Sequence, residues 1–199
     1  TLTDVKDIDL NVFDGPCPAG NVGVQVNHLD PVNKGEVVWA VDPTAVIFFG
    51  RLFLTGKVDL TRTVAIAGSR VKDPHYVVPL VGTPLKTILD GQITATDDIR
   101  IINGNPLTGK HDSLDGYLGA HTSEVTVIPE GAHTDEMLGW IMPRCKEFSA
   151  SRSYFSWLMG KKHEYDLDAR IKGGERHMIM SGEYDKVLPM DIYGEYLIK

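Results

Sequence analysis

Residues 62–128 carry the pattern that most constrains how this chain folds. Thr63-Val64-Ala65-Ile66-Ala67-Gly68 reads as a β-strand and Lys72-Asp73-Pro74 as a turn. His75-Tyr76-Val77-Val78-Pro79-Leu80-Val81 reads as a second strand, so the two form a hairpin. Pro79 cannot donate a ladder hydrogen bond, which puts this strand at a sheet edge. Gly82-Thr83-Pro84 then opens a helix, with Thr83 as N-cap, Pro84 at the first helical position and Leu85, Ile88 and Leu89 as its apolar stripe. Gly91 ends it. Asp98–Ile102 and Glu124–Ile128 supply a third and a fourth strand. A hairpin, a helix and further strands outline a β-grasp unit within an α+β fold.

The flanks are less regular. Up to about Pro31 the chain reads as loop, because Gly15-Pro16-Cys17-Pro18-Ala19-Gly20 opposes any regular element. Glu36–Val41 is a short β-rich run. Asp42-Pro43 caps a helix over Thr44–Thr55, with Gly56 just past its end. This helix is apolar nearly all round, with Arg51 its one charge, so deep burial is expected. Beyond Pro129 the chain reads as irregular, with one short helix capped by Ser149 and running through Met159, and another from Asp191 onward. The domain organisation expected is 1–61, part of an α/β core; 62–130, the β-grasp domain; and 131–199, an irregular segment with short helices.

Composition narrows function by exclusion. With 20 Lys and Arg against 27 Asp and Glu, the net charge is −7. Nucleic-acid binding needs clustered positive charge, so it is not expected. The longest apolar run, Ala45–Phe49, falls far short of the roughly 20 residues that span a bilayer. The two cysteines, Cys17 and Cys145, stand far apart without a CxxC pattern, which argues against zinc and iron–sulfur sites. They read as free thiols. The chain opens Thr-Leu-Thr-Asp-Val-Lys without an initiator methionine, as expected of a piece of a longer chain.

Three patterns resemble catalytic or binding motifs and fail on physical grounds. Gly104-Asn105-Pro106-Leu107-Thr108-Gly109-Lys110-His111 matches GxxxxGK of a phosphate loop, but His111 stands where Ser or Thr must hold magnesium. No good helix start follows, so a surface turn is the expected reading. His111, Asp112, Asp115 and His121 lie in a glycine-bearing stretch with no rigid element to hold a metal. Cys145 lies between Arg144 and Lys146, which can lower a thiol pKa, but no neighbouring base is evident. No GxSxG elbow and no GxGxxG loop is present.

One segment remains. Between Trp140 and His163 stand Arg144, Lys146, Arg152, Lys161 and Lys162 against the single carboxylate Glu147. The same window holds Met142, Phe148, Tyr154, Phe155, Trp157 and Met159. Trp, Tyr, Met and Arg are enriched where proteins meet. One reading is a docking surface for a protein partner or a membrane edge, with Trp140, Met142, Arg144, Arg152, Phe155 and Trp157 as its contact residues. The other is a core helix with its aromatics inside and a solvated cationic rim.

Four blocks resemble a known family: Phe13-Asp14-Gly15-Pro16-x-Pro18-Ala19-Gly20, Phe49–Gly56, Gly139-Trp140-x-Met142-Pro143 and Ser151-Arg152-Ser153. In this order they resemble NqrA, a component of the sodium-translocating NADH:quinone oxidoreductase (Nqr). The resemblance implies an internal-to-C-terminal piece whose residues 62–130 are a soluble-ligand-binding β-grasp (SLBB) domain. The region before it resembles the core of the flavin-carrying component of respiratory complex I. The resemblance also implies a peripheral position on the cytoplasmic side, touching the membrane only through partners. Those partners are the other Nqr subunits, chiefly the membrane component NqrB, near the place of quinone reduction. The complex uses NADH, flavins, iron–sulfur centres and quinone, whereas this chain lacks the residues for a flavin or a cluster and is expected to bind no cofactor. No catalytic residue transfers to a position here. The alternative is a small-ligand module that itself binds quinone; a free-standing enzyme is not expected.

Overall fold

The computed structural model describes residues 5–15, 18–132, 141–149, 152, 154–160, 163–170, 181–186, 188 and 190–199. The chain divides into two compact units, residues 1–43 with 175–199, and residues 44–174.

In the first unit, helix α1 (Val22–Leu29) occupies part of the stretch expected to be loop. Its three β-branched valines and Gly23 hide it from propensity, but its start is fixed locally. Asn21 is the N-cap and accepts from the Gly23 N–H at 3.0 Å, while Gln25 N–H reaches Asn21 O at 3.1 Å. Val24 is its one buried side chain. Glu36–Val41, expected to be β-rich, takes no regular secondary structure and pairs with no strand among the described residues, and Trp39 is 87% exposed.

The second unit opens with helix α2 (Pro43–Thr55), close to the expected span. Gly56, at φ +67°, donates to Leu52 O at 2.8 Å and closes it in the left-handed conformation that glycine supplies. The expected burial fails: no side chain of α2 is buried. An apolar sequence encodes a tendency to be covered, and the described residues do not cover it.

The centre of this unit is the expected β-grasp. Strands β1 (Val64–Ala67) and β2 (His75–Val77) form an antiparallel hairpin. Helix α3 (Leu85–Leu89) follows, then β3 (Ile99–Asn103), β4 (Lys110–Asp112) and β5 (Glu124–Pro129). The sheet order is β2-β1-β5-β3-β4, with β1 and β5 parallel and all other pairs antiparallel. Strand β2 lies at the edge as expected, but it ends at Val77 rather than Val81, so Pro79 stands beyond its paired residues. Val64, Ile66, Ile101, Val125 and Val127 pack with Leu85 and Leu89 of α3 and with Val71 and Leu118 in one core. Gly68, at φ +113°, lets the chain pass against β5, because a Cβ there would collide with the Val127 backbone.

One local reading is corrected, and the expected turn at Gly104–His111 gains a return strand. Thr83 does not cap α3: its hydroxyl donates backward to Leu80 O at 2.7 Å, and Pro84 holds the cap position. Gly104–His111 is the turn and return strand of the β3–β4 hairpin. Asn105 Oδ1 accepts from the N–H groups of Leu107 and Thr108, and the strand is set by Ile102↔His111 and Asn103↔Lys110 pairing.

After β5 a single 3₁₀ turn, Phe155–Met159, replaces the longer helix expected from Ser149. Arg152 sits at φ +57°, a left-handed conformation incompatible with a continuous right-handed helix. Helix α4 (Gly194–Ile198), in the first unit, starts three residues later than Asp191. Its Glu195 is buried and accepts from Ser181 N–H and Oγ and from Gly182 N–H.

Candidate docking surface

The expected contact window follows β5 in the second unit, and its first part is fixed by an ionic ladder. Arg144 and Glu147 face each other across a turn in which Glu147 N–H donates to Arg144 O at 3.1 Å. The Arg144 Nη1 reaches Glu147 Oε1 and Oε2 at 3.0 and 2.8 Å. Glu147 Oε1 lies 3.9 Å from Arg170 Nη2, and Arg170 is forked onto Asp168 Oδ2 at 2.7 and 2.8 Å. Charges therefore alternate along the row Arg144, Glu147, Arg170, Asp168. The Arg144 side chain is only 7% exposed, and its guanidinium stands 5.6 Å from the Tyr154 ring centroid.

Beside this ladder lies an aromatic row. Phe148 meets Tyr165 edge-on at 5.6 Å, and Tyr165 meets His163 at 4.8 Å. The two halves of the window are joined through the backbone, since Phe155 N–H donates to Pro143 O at 3.0 Å.

This framework places the six expected contact residues differently. Met142, Phe155 and Trp157 are about half exposed, and Arg152 is exposed at its left-handed position. The Phe155–Pro143 bond ties the backbone of Phe155 to the residue that follows Met142. Arg144 turns inward and acts as an internal ion-pair partner. Trp140 lies outside the described residues. Ile141, Phe148, Leu158 and Met159 add exposed apolar surface, while Ser156 is the buried residue of the 3₁₀ turn.

Sequence reasoning missed Asp168 and Arg170, which close the ladder from more than twenty residues away. The alternating charge of Asp168-Ala169-Arg170 is the only local signal they leave. The arrangement offers satisfied ion pairs inside and apolar, aromatic and cationic groups outside. It is suited to binding a surface rather than to transferring a proton or a group.

Other features carry less chemistry. In the first unit an open groove of about 350 Å³ is lined by Gly23, Val26, Val32, Val38, Ala40 and Met190, with Asn27 its one polar side chain. One amide gives little means to orient a ligand. Among the described residues no three His, Cys, Asp or Glu side chains gather as a metal site needs, and Asp112 is held by Asn103 Nδ2 at 2.6 Å and Ser113 N–H at 2.8 Å. No helix among them is long and apolar enough to cross a membrane. Cys145 is exposed as a free thiol, and Cys17 lies outside the described residues.

Comparison with known proteins adds two family matches. Residues 1–58 match the model of the NqrA second alpha/beta domain, and residues 63–113 that of the NQRA C-terminal domain, of SLBB type. The chain is 35% identical over 195 residues to the NqrA component of the Na(+)-translocating NADH-quinone reductase of Vibrio parahaemolyticus. It is 34% identical over 197 residues to that of Rhodopirellula baltica and 34% over 199 residues to that of Haemophilus influenzae. These alignments cover 98–99% of this chain and 43% of each relative. The chain therefore spans less than half the length of the curated relatives it matches.

Proposed function

We propose, from the premise that this chain belongs to the NqrA family of the Na(+)-translocating NADH-quinone reductases, that it is a docking component of such a complex and carries no catalytic group of its own. Its partners are the other Nqr components, chiefly the membrane component NqrB, and it lies peripherally on the cytoplasmic face, near the place of quinone reduction. Its residues hold no flavin or iron–sulfur cluster, consistent with a sequence that offers neither a glycine-rich loop nor a cysteine set. The complex as a whole oxidises NADH, reduces quinone and moves sodium.

The observation that carries the docking role is the surface at 141–159. Met142, Phe155 and Trp157 stand outward on a framework fixed by the Arg144–Glu147 pair and the Phe155–Pro143 bond. A rigid presentation of aromatic and Met side chains lowers the ordering cost of binding. Arg152 supplies an exposed cation at the same place.

The test is capture of NqrB from a detergent extract by the unaltered chain, Arg152→Ala and Trp157→Ala, with folding followed by circular dichroism. Loss of capture by folded variants supports the proposal. Equal capture by all three removes the surface from the role. A short-chain quinone titrated into the chain distinguishes the ligand-module alternative: saturable tryptophan quenching at micromolar ligand would favour it.

A further inference from the structure

Arg62 is a buried cation without a carboxylate among the described residues. It stands two residues before β1 and is 6% exposed. Its backbone N–H donates to Pro79 O at 3.1 Å, just past the end of β2. Its guanidinium crosses to the β4–β5 connection, where Nη1 donates to Ala120 O. Its Nε is buried and meets no acceptor, and no ion pair forms. Arg51, Arg70, Arg100, Arg144 and Arg170 are all less buried, yet each meets a carboxylate.

A guanidinium keeps its charge in proteins, and a buried charge without a counter-ion is strongly disfavoured. The open edge defines the group that answers it. With Nη1 spent on Ala120, the edge left is Nε with Nη2, the same edge that Arg100 turns to Glu130. That edge matches two coplanar oxygens, as in a carboxylate. Two carboxylates close to Arg62 do not serve. Asp59, three residues back, is taken by Arg51 and by the N–H and hydroxyl of Thr61. Glu124 stands opposite Ala65 in the β1–β5 pairing and forms no ion pair with Arg62.

The source of the carboxylate follows from how little else holds it. A single fork is a weak grip on a free anion, which gives up its translational freedom for one ion pair. A carboxylate carried on a docked surface gives up far less, because it arrives at high local concentration. The surroundings suit such a surface. Leu60 and Leu80 are exposed on the same two segments as Arg62, joined by the Thr61↔Leu80 bridge and by Val81 N–H to Leu60 O at 3.2 Å. Val78, next to Pro79, is 66% exposed. A desolvated Arg with an apolar rim is the arrangement of a binding hot spot.

We infer that Arg62 is the receptor for one carboxylate, an Asp or Glu side chain of another component of the Na(+)-translocating complex. This rests on the chain being a docking component of such a complex, but not on the surface at 141–159.

Variants of the NqrA component test it. Arg62→Met keeps the apolar stem and removes the charge. The melting temperature of the free component is expected to stay level or rise, because an uncompensated buried charge is gone. Its affinity for the other components is expected to fall by about tenfold or more, because the partner's carboxylate is left unpaired. Arg62→Lys is expected to recover part of that affinity. A lower melting temperature for free Arg62→Met, or undiminished affinity, overturns the inference. Lost affinity in Arg152→Ala with undiminished affinity in Arg62→Met would remove this site and leave the surface at 141–159 standing. The neighbour is read separately, from a photo-crosslinking p-benzoylphenylalanine at Leu80 on the apolar rim, in the assembled complex. The expected product joins that position to a peptide of another component that contains Asp or Glu. A product confined to NqrA, or none, overturns the inference. So does saturable stabilisation of the free component by millimolar acetate that Arg62→Met abolishes, since that assigns the fork to a free carboxylate.

Discussion

Arg100 and Glu130 are joined by two parallel hydrogen bonds, from Nε to Oε2 and from Nη2 to Oε1, each at 2.7 Å. Arg100 lies on β3 and Glu130 just past the end of β5, so the pair closes one end of the sheet. The guanidinium hydrogen bonds hold the Glu130 carboxyl below its ordinary value of 4.5, against an opposing push from partial burial. A carboxylate depressed in the folded state contributes stability above its unfolded pKa and loses it as pH falls through the folded value. This contribution is thus expected to be fully present above about pH 5 and to be lost as pH falls below about 4.5. Both groups are about a third exposed, at 34% and 31%, so solvent screening limits the contribution to about 1 kcal/mol or less. Urea midpoints measured against pH check this, and Glu130→Gln is expected to flatten that part of the acid slope.

Gly68→Ala is expected to cost about 3 kcal/mol or more, because its Cβ would meet the Val127 backbone in a conformation at φ +113°. Gly82→Ala is the control: φ is +82° but nothing lies within 4 Å, so only the backbone strain of about 1 kcal/mol remains. Equal urea midpoints for the two variants would show that the close approach of β1 to β5 carries no cost.

The two arginines of the window separate folding from docking. Arg144→Ala is expected to cost about 1–3 kcal/mol, because Glu147 loses the guanidinium nitrogen that meets both of its carboxylate oxygens. Arg152→Gly is expected to leave stability unchanged or raise it by up to about 1 kcal/mol, since glycine accepts φ +57° freely. Arg152→Gly is also expected to weaken capture of the membrane components. Destabilisation by Arg152→Gly in a urea melt, matching that of Arg144→Ala, would contradict the division.

The uncovered α2 predicts concentration-dependent self-association of the isolated chain. Phe53→Ser with Leu54→Lys removes two of the most exposed apolar side chains and is expected to shift sedimentation toward the monomer without loss of the β-grasp. An unchanged distribution would place the sticky surface elsewhere.

The β-grasp was legible because its main signals are local: the Lys72-Asp73-Pro74 turn, the flanking β-rich runs and the apolar stripe of α3. Strand β4 was not, since Lys110-His111-Asp112 carries no apolar alternation and owes its place to pairing with β3. Helix α1 was hidden by its valines and rests on one asparagine cap. For α2 the span was readable and the burial was not, because covering depends on what lies outside the element. In the docking surface, composition located the window but not the direction of each side chain. Arg144 pairs with Glu147 three residues on and stands over the Tyr154 ring, whereas Arg152 has no carboxylate at that spacing and is exposed.

The parallel pairing of β1 with β5 has a consequence in time. Ala65 stands opposite Glu124, so the central strand of the sheet is the last to be made, about sixty residues after its neighbour. The β1–β2 hairpin can close within microseconds of its synthesis. At ribosomal speed the partner of β1 arrives roughly three to twelve seconds later. Throughout that interval β1 has one of its two strand partners. A nascent chain of this kind carries an open β-edge for the time it takes to make about sixty residues, and a chaperone that recognises such an edge has seconds in which to find it.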